Sequence, residues 1–272
     1  MKSHKIVGVF LVRNEDRFIR RSMENVVESC DEVLVFDHGS NDGTPEILKE
    51  FQKRFDHVKV NEIRDPKESH DALISYVGTN TWIFAVDGDE IYDGERTRLF
   101  LNQLREGEHS EHFRIRGNTL HCTEGECGRF TGYLSPPARS VVKLYNFGVV
   151  KEWNDGYERL HGGKLVLKNG LLPKDAYELS RGFEFADSPL RCLHLPFTRR
   201  SSKDPEHFVP RQNIPDRICR RRLARMYFDL RNWLRIPVPS EGKQKNYACG
   251  ERVTLELEGF GINGVQNCGE LR

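Results

Sequence analysis

At 272 residues the chain can bury a sizeable core without disulfide or metal staples, as one large domain or two modest ones. Its 42 Lys and Arg against 41 Asp and Glu leave a net charge of +1, which excludes a generally polycationic nucleic-acid binder. With 37% hydrophobic and 31% charged residues it is neither disordered nor fibrous, and no run reaches the roughly 18 apolar residues of a membrane span.

Ile6–Val12 is a continuous apolar run that predicts a strand buried on both faces. It would pass for a short secretory segment, but Arg13-Asn-Glu-Asp-Arg17 follows instead of a small-residue cleavage site. The chain is therefore expected in the cytoplasm, at most peripheral to a membrane, with its 7 cysteines as free thiols. Residues 14–27 predict a helix and Glu32–Phe36 a second strand. Ser40–Thr44 is a turn, with Thr44 as the expected cap and Pro45 as the first residue of a helix to Phe55. Val58–Val60, Ser69–Val77 and Trp82–Val86 continue as strand, helix and strand. That alternation predicts a mostly parallel sheet with helices on both faces. Ligands of such sheets gather beyond the carboxyl ends of the strands. Three polar clusters fall there: Arg13-Asn-Glu15, Asp37-His-Gly-Ser40 and Asp87-Gly-Asp-Glu90.

Beyond Leu101 the pattern loosens. Strands are expected at His112–Ile115 and Val141–Tyr145, separated by a Gly- and Cys-containing loop at 121–137. His121-Cys122-x4-Cys127 has metal-like residue types but lacks a second ligand pair, so the loop is read as carrying thiols rather than zinc. Turn signals dominate 146–195. Residues 199–235 hold 11 Arg and Lys against 4 acidic residues. Within them, 216–235 predict a helix with Cys219, Leu223, Met226 and Leu230 on one face and Arg217, Arg220, Arg221 and Arg225 opposite. A solvated basic face is its first reading, and contact with anionic lipid or a phosphate-bearing acceptor the second. Val253, Leu255 and Leu257 alternate as a last strand.

Asp87, Asp89 and Glu90 crowd three carboxylates after a buried strand, with Gly88 letting the backbone turn. Such a cluster repels itself unless a cation joins it, and hard oxygen ligands suit Mg²⁺ or Mn²⁺. A solvated acidic turn is the plain alternative. The same repulsion predicts that removing one carboxylate leaves stability level or raises it. Asp37, at another strand end before a helix start, stands where turn amides receive phosphate or ribose groups.

Phe10-Leu-Val-Arg-Asn14-Glu15, Asp37-x-Gly-Ser-x-Asp-Gly-Thr44 and Trp82-x-x-x-x-Asp87-x-Asp89-Glu90 together resemble the family 2 glycosyltransferases of the GT-A fold. Weaker similarity continues through Val142-Lys-Leu-Tyr145, Trp153-x-x-Gly156-x-Glu158-Arg159 and Leu193-His194-x-Pro-Phe-x-Arg-Arg200. His38 stands where many relatives carry Asp or Thr, Ser69-His70-Asp71 where an Arg-Asn pair is frequent, and Tyr157 where His is usual.

The resemblance implies a GT-A-like domain over 1–200, with a nucleotide-binding half at 1–98 and an acceptor half at 99–200, and a basic helical extension at 201–272. It implies a nucleotide-sugar donor, a glycan or lipid-linked acceptor, no nucleic-acid polymer, Mn²⁺ or Mg²⁺ as cofactor, and inversion at the anomeric carbon. Asp37 would contact the nucleoside, with Asn14, Glu15, His70, Asp87 and Arg200 completing the donor pocket. Asp87, Asp89 and His194 would form the metal site. Glu158, beside Tyr157 where partial desolvation would suit proton abstraction, would be the general base. Two rivals are a non-catalytic nucleotide- or glycan-binding protein on the same scaffold and an Asp-nucleophile phosphatase. Against the phosphatase stand Glu90-Ile91 and the three strands that precede Asp87.

Overall fold

The computed structural model describes residues 3–126, 128–136, 142–204 and 247–261. Strands β1 (Lys5–Val12), β2 (Glu32–Asp37), β3 (Val58–Glu62) and β4 (Thr81–Val86) alternate with helices α1 (Ile19–Glu24), α2 (Thr44–Arg54) and α3 (Lys67–Leu73). A short β5 (Glu90–Tyr92) leads into α4 (Gly94–Glu106). There follow β6 (Arg114–Arg116), β7 (Asn118–Glu126), β8 (Arg129–Ser135), β9 (Val142–Asn146) and β10 (Val150–Glu158). The last are β11 (His161–Leu167), β12 (Tyr177–Glu178), β13 (Arg191–His194) and β14 (Arg252–Glu256).

Seven strands form one sheet in the order β12-β6-β9-β4-β1-β2-β3. β4, β1, β2 and β3 run parallel, while β9 is antiparallel to both its neighbours. The period-two pattern sorts the apolar runs onto two covered faces. Ile6, Phe10, Val33, Val35, Trp82 and Phe84 meet Ile19, Met23, Leu48, Phe51, Phe100 and Leu104 from α1, α2 and α4. Val7, Val9, Leu34, Phe36 and Ile83 meet Leu73 of α3 and Trp153 of β10. The expected α/β architecture with a mostly parallel, helix-flanked sheet is therefore present.

Two segments differ from expectation. The anticipated helix over 14–27 shrinks to α1 and a 3-10 turn at Val27–Ser29. Residues 13–18 form a loop instead, fastened to the 40–44 turn. The anticipated loop at 121–137 is mostly a hairpin: β7 and β8 pair antiparallel from Thr119↔Ser135 to Glu126↔Arg129. Its alternation is hard to read because the register slips between Cys122 and Glu124. Gly132 is required there, since a Cβ would lie 2.3 Å from the His121 carbonyl oxygen.

β7 and β8 belong to a second sheet, β14-β8-β7-β13-β5. The tail strand appears as expected, antiparallel to β8. Leu257 and Phe260 close a core with Phe18, Ile91, Leu120, Phe130 and Leu193. Segment 247–261 thus packs into the same body as β5 and β13, while the expected basic helix at 216–235 lies outside the described residues, as do Cys127, Cys219 and Cys268. Cys30, Cys122 and Cys192 are buried free thiols, and burial pushes each well above the ordinary thiol range.

Candidate active site

The loops after β1, β2 and β4 meet at the carboxyl edge of the parallel strands. Asn14 takes a left-handed backbone (φ 54°). Its side-chain oxygen accepts the Asn41 amide at 2.8 Å, and its own amide donates to Ser40 Oγ at 2.9 Å. Ser40 Oγ in turn donates to Asp37 Oδ1 at 2.6 Å, with the Ser40 amide on the same oxygen at 3.0 Å. Thr44 does not cap α2, contrary to expectation: Gly43 occupies that position, and Thr44 Oγ1 accepts the Glu15 amide at 2.9 Å. These bonds lock the first two polar clusters to each other.

The acidic turn after β4 is not a knot of repelling charges. Asp87 Oδ1 accepts from Arg159 Nη2 at 2.5 Å, and Asp89 Oδ2 from Arg200 Nη1 at 2.7 Å. Arg200 also stands 3.4 Å from Glu15 Oε1. Gly88 makes room for this, since a Cβ there would lie 2.0 Å from Glu15 Oε2. Glu90 turns inward to the fully buried Lys143 ammonium and accepts from Tyr92 Oη at 3.1 Å and the Asp87 amide at 3.2 Å. Self-repulsion therefore misjudges the turn, because each carboxylate has a cationic partner from a distant part of the chain. Burial pushes Glu90 up to about 7, and the opposing attraction of Lys143 is too small to reverse it. Burial would raise Asp87 too, but Arg159 and then Lys143 hold it well below the usual carboxylate range.

His194 ends β13 and stands with Nε2 3.8 Å from Asp89 Oδ1. The Asp89 carbonyl accepts the Leu195 amide at 3.0 Å, which pins the strand end to the acidic turn. Burial lowers His194 to about 4 against the pull of Asp89, so its ring is neutral at neutral pH. An oxygen and a neutral nitrogen 3.8 Å apart suit one divalent ion, since bonds of about 2.1 Å span up to ~4.2 Å. As a pair, Asp89 and His194 are donors of the kind that Mn²⁺ or Mg²⁺ takes.

Ser69 and His70 do not face outward. Ser69 Oγ accepts the Arg159 amide at 2.9 Å, and His70 Nδ1 donates to the Arg159 carbonyl at 2.8 Å. The buried His70 ring sits edge-on to Trp153 and directly over Gly156, where a Cβ would come within 2.3 Å of it. Gly156→Ala is expected to displace the ring and destabilise by about 1–3 kcal/mol, the usual cost of overpacking. An unchanged melting temperature would show that the ring has slack. Glu158 closes β10 opposite His161, just past a register shift, and is part-exposed. Its neighbour Arg159 reaches Asp87, so this strand end lies beside the acidic turn. Asp155 takes a left-handed turn backbone (φ 59°), as its Asn-Asp-Gly context suggests.

Residues 9–126 match the model of glycosyl transferase family 2. The resemblance read from the three motifs is borne out over that stretch, which runs from the second half of β1 to the end of β7 and holds the three polar clusters. Among solved structures the chain is similar to a mannosyltransferase from Pyrobaculum calidifontis in complex with GDP-Man and Mn²⁺, at 17% identity and a TM-score of 0.31, over 44% of this chain and 36% of that one. It thus spans little more than a third of that enzyme's length. It is also similar to a 4-diphosphocytidyl-2C-methyl-D-erythritol synthase from Anaerococcus prevotii, at 9% identity and a TM-score of 0.31, over 53% and 70% of the two chains. A mannose-6-phosphate isomerase from Helicobacter pylori is similar at 10% identity and a TM-score of 0.35, over 53% and 71%. No curated protein matches by sequence.

Within the matched residues and beyond them, Lys143 and Arg159 fall inside the motifs without an expected role, and His121 is expected only beside Cys122 in a metal-like loop. Arg159 had the one available signal, its place beside Glu158. Among the described residues, His109, Glu111 and His112 are the set of three whose potential ligand atoms lie within 4.8 Å of one another; Asp87, Asp89 and His194 do not gather that closely. Residues 109–112 precede β6, whose Arg114 is level through Tyr145 with Ile83 in the first half of β4. That places them at the sheet edge opposite Asp87.

Proposed function

We propose that this protein is a glycosyltransferase that moves a sugar from a nucleoside-diphosphate donor to an acceptor hydroxyl, with inversion and with Mn²⁺ or Mg²⁺. The observation that carries the reading is the convergence of Asp37, Asp87 and Asp89, which lie within the glycosyl transferase family 2 match, with His194, Arg159 and Arg200 from beyond it. The phosphatase and pure-binder readings are not favoured by that match.

Asp37, held by Ser40, would receive the hydroxyls of the nucleoside, with Asn14 and Glu15 shaping that wall. A divalent ion held by Asp87, Asp89 and His194 would supply charge neutralisation to the leaving diphosphate. Arg159 and Arg200, paired with Asp87 and Asp89, would offer their remaining guanidinium donors to the phosphate oxygens. His70 holds the Arg159 backbone from behind. Glu158 takes the proton of the attacking hydroxyl, a role worth about 10²–10⁴-fold. The acceptor class is a glycan or lipid-linked hydroxyl. Lipid contact would rest on 216–235, outside the described residues; among the described residues no helix is long and apolar enough to cross a membrane.

Incubation with nucleotide sugars and Mn²⁺ should release nucleoside diphosphate, and a chelator should stop it. Phosphate release from monoesters, or no turnover with any donor, would overturn the reading. Glu158→Gln should leave donor affinity in place and lower transfer by roughly 10²-fold or more. Transfer within a few-fold of wild type, with chemistry rate-limiting, would assign the base elsewhere.

A further inference from the structure

β13 and β7 are parallel neighbours with His194 level with His121. Level residues project to the same face, so two imidazoles stand side by side in the interior. His121 is fully buried and His194 is 7% exposed. Their rings meet edge-on at 5.1 Å, and the ring of Tyr247 stands 4.7 Å from the first and 5.2 Å from the second. The two Nδ1 atoms are 2.9 Å apart.

Only one proton fits between two nitrogens at that distance, so one ring donates and the other accepts. A neutral ring that donates through Nδ1 carries its lone pair at Nε2. One that accepts at Nδ1 carries its proton at Nε2. For His194 the second arrangement would aim an N–H at Asp89 Oδ1 from 3.8 Å, too far for a hydrogen bond. The first presents a lone pair across a gap that a divalent ion spans.

We propose that His121 is a positioning residue for the cation seat: it accepts the Nδ1 proton of His194 and so turns the His194 Nε2 lone pair toward Asp89. This rests on the reading of Asp89 and His194 as ligands. Ligating imidazoles generally hand their second N–H to a fixed acceptor, and losing that acceptor typically costs about 10–100-fold in metal affinity.

The test measures Mn²⁺ binding alone, by calorimetry or paramagnetic resonance, on the full chain. His121→Phe keeps a ring in the cavity and should weaken Mn²⁺ by about 10–100-fold. His121→Asn sets an amide oxygen where Nδ1 stood and should bind within a few-fold of wild type. Imidazole nitrogen spectra of wild-type protein with Mg²⁺ should show His194 protonated at Nδ1 and His121 at Nε2, a readout that needs no variant to fold. Wild-type affinity in His121→Phe while Asp89→Ala fails to bind would overturn the role of His121 alone. So would a His194 ring protonated at Nε2 in the Mg²⁺ complex. If neither Asp89→Ala nor His194→Phe affects Mn²⁺, the cation seat itself is wrong and this role falls with it.

Discussion

Lys143→Met should cost about 3–5 kcal/mol of folding stability above neutral pH and much less in mild acid. Lys143 and Glu90 are almost wholly inaccessible, at 2% and 1% side-chain exposure. Removing the ammonium leaves a carboxylate in the interior beside Asp87 and Asp89. Burial already raises Glu90 to about 7 with Lys143 in place, and without it the group moves further up. A carboxyl whose folded value lies above its unfolded one favours the folded state when protonated. Its contribution is therefore complete below about pH 4.5 and is lost as pH rises through the folded value, about 7 in wild type and higher in the variant, so the two diverge above pH 7. The variant's deficit should accordingly widen with pH, as read by urea denaturation at acidic and alkaline pH. Adding Glu90→Gln should recover much of the loss at high pH. An equal deficit at both ends would mean that packing of the Lys143 stem, not charge, is what the substitution removes.

Asp89→Ala should abolish the stabilisation that Mn²⁺ with a nucleoside diphosphate confers, a gain of about 2.7 kcal/mol at a hundredfold excess over Kd. Loss of its paired carboxylate also leaves Arg200, at 15% exposure, facing Glu15 at 3.4 Å. The unliganded variant should therefore be less stable than wild type by about 1–3 kcal/mol, rather than level or improved as self-repulsion predicts. Asp87→Ala should cost less, because that side chain is 41% exposed. A normal thermal shift with Mn²⁺ and nucleoside diphosphate in Asp89→Ala would remove Asp89 from the cation seat. Unchanged apo stability would show that Arg200 finds another partner.

Much of this site was legible because its parts are local. Asp37, Asp87 and Asp89 follow apolar strands directly, and strand ends on a parallel sheet all face one edge. Asn14 and Glu15 share that logic, although they lie in a loop and not in a helix. The pattern of 14–27 is helical in residue type; what shortens it is the set of bonds from residues 14–16 to the 40–44 turn. The β7–β8 hairpin was illegible for a different reason, since a bulge shifts the phase of its alternation midway.

Period and punctuation in the chain thus suffice for the parallel strands, their covered faces and the edge where acidic residues collect, because each depends on neighbours a few positions away. The partners of those acids depend on nothing so close. Arg159 lies 72 residues from Asp87, Arg200 111 from Asp89, Lys143 53 from Glu90, and His121 73 from His194. Strand order and ladder register alone bring them together, and with them the site changes from a repelling acidic turn to a compensated one. Charges that look unpaired along a sequence are neutralised in the fold because a low-dielectric interior tolerates them only in pairs.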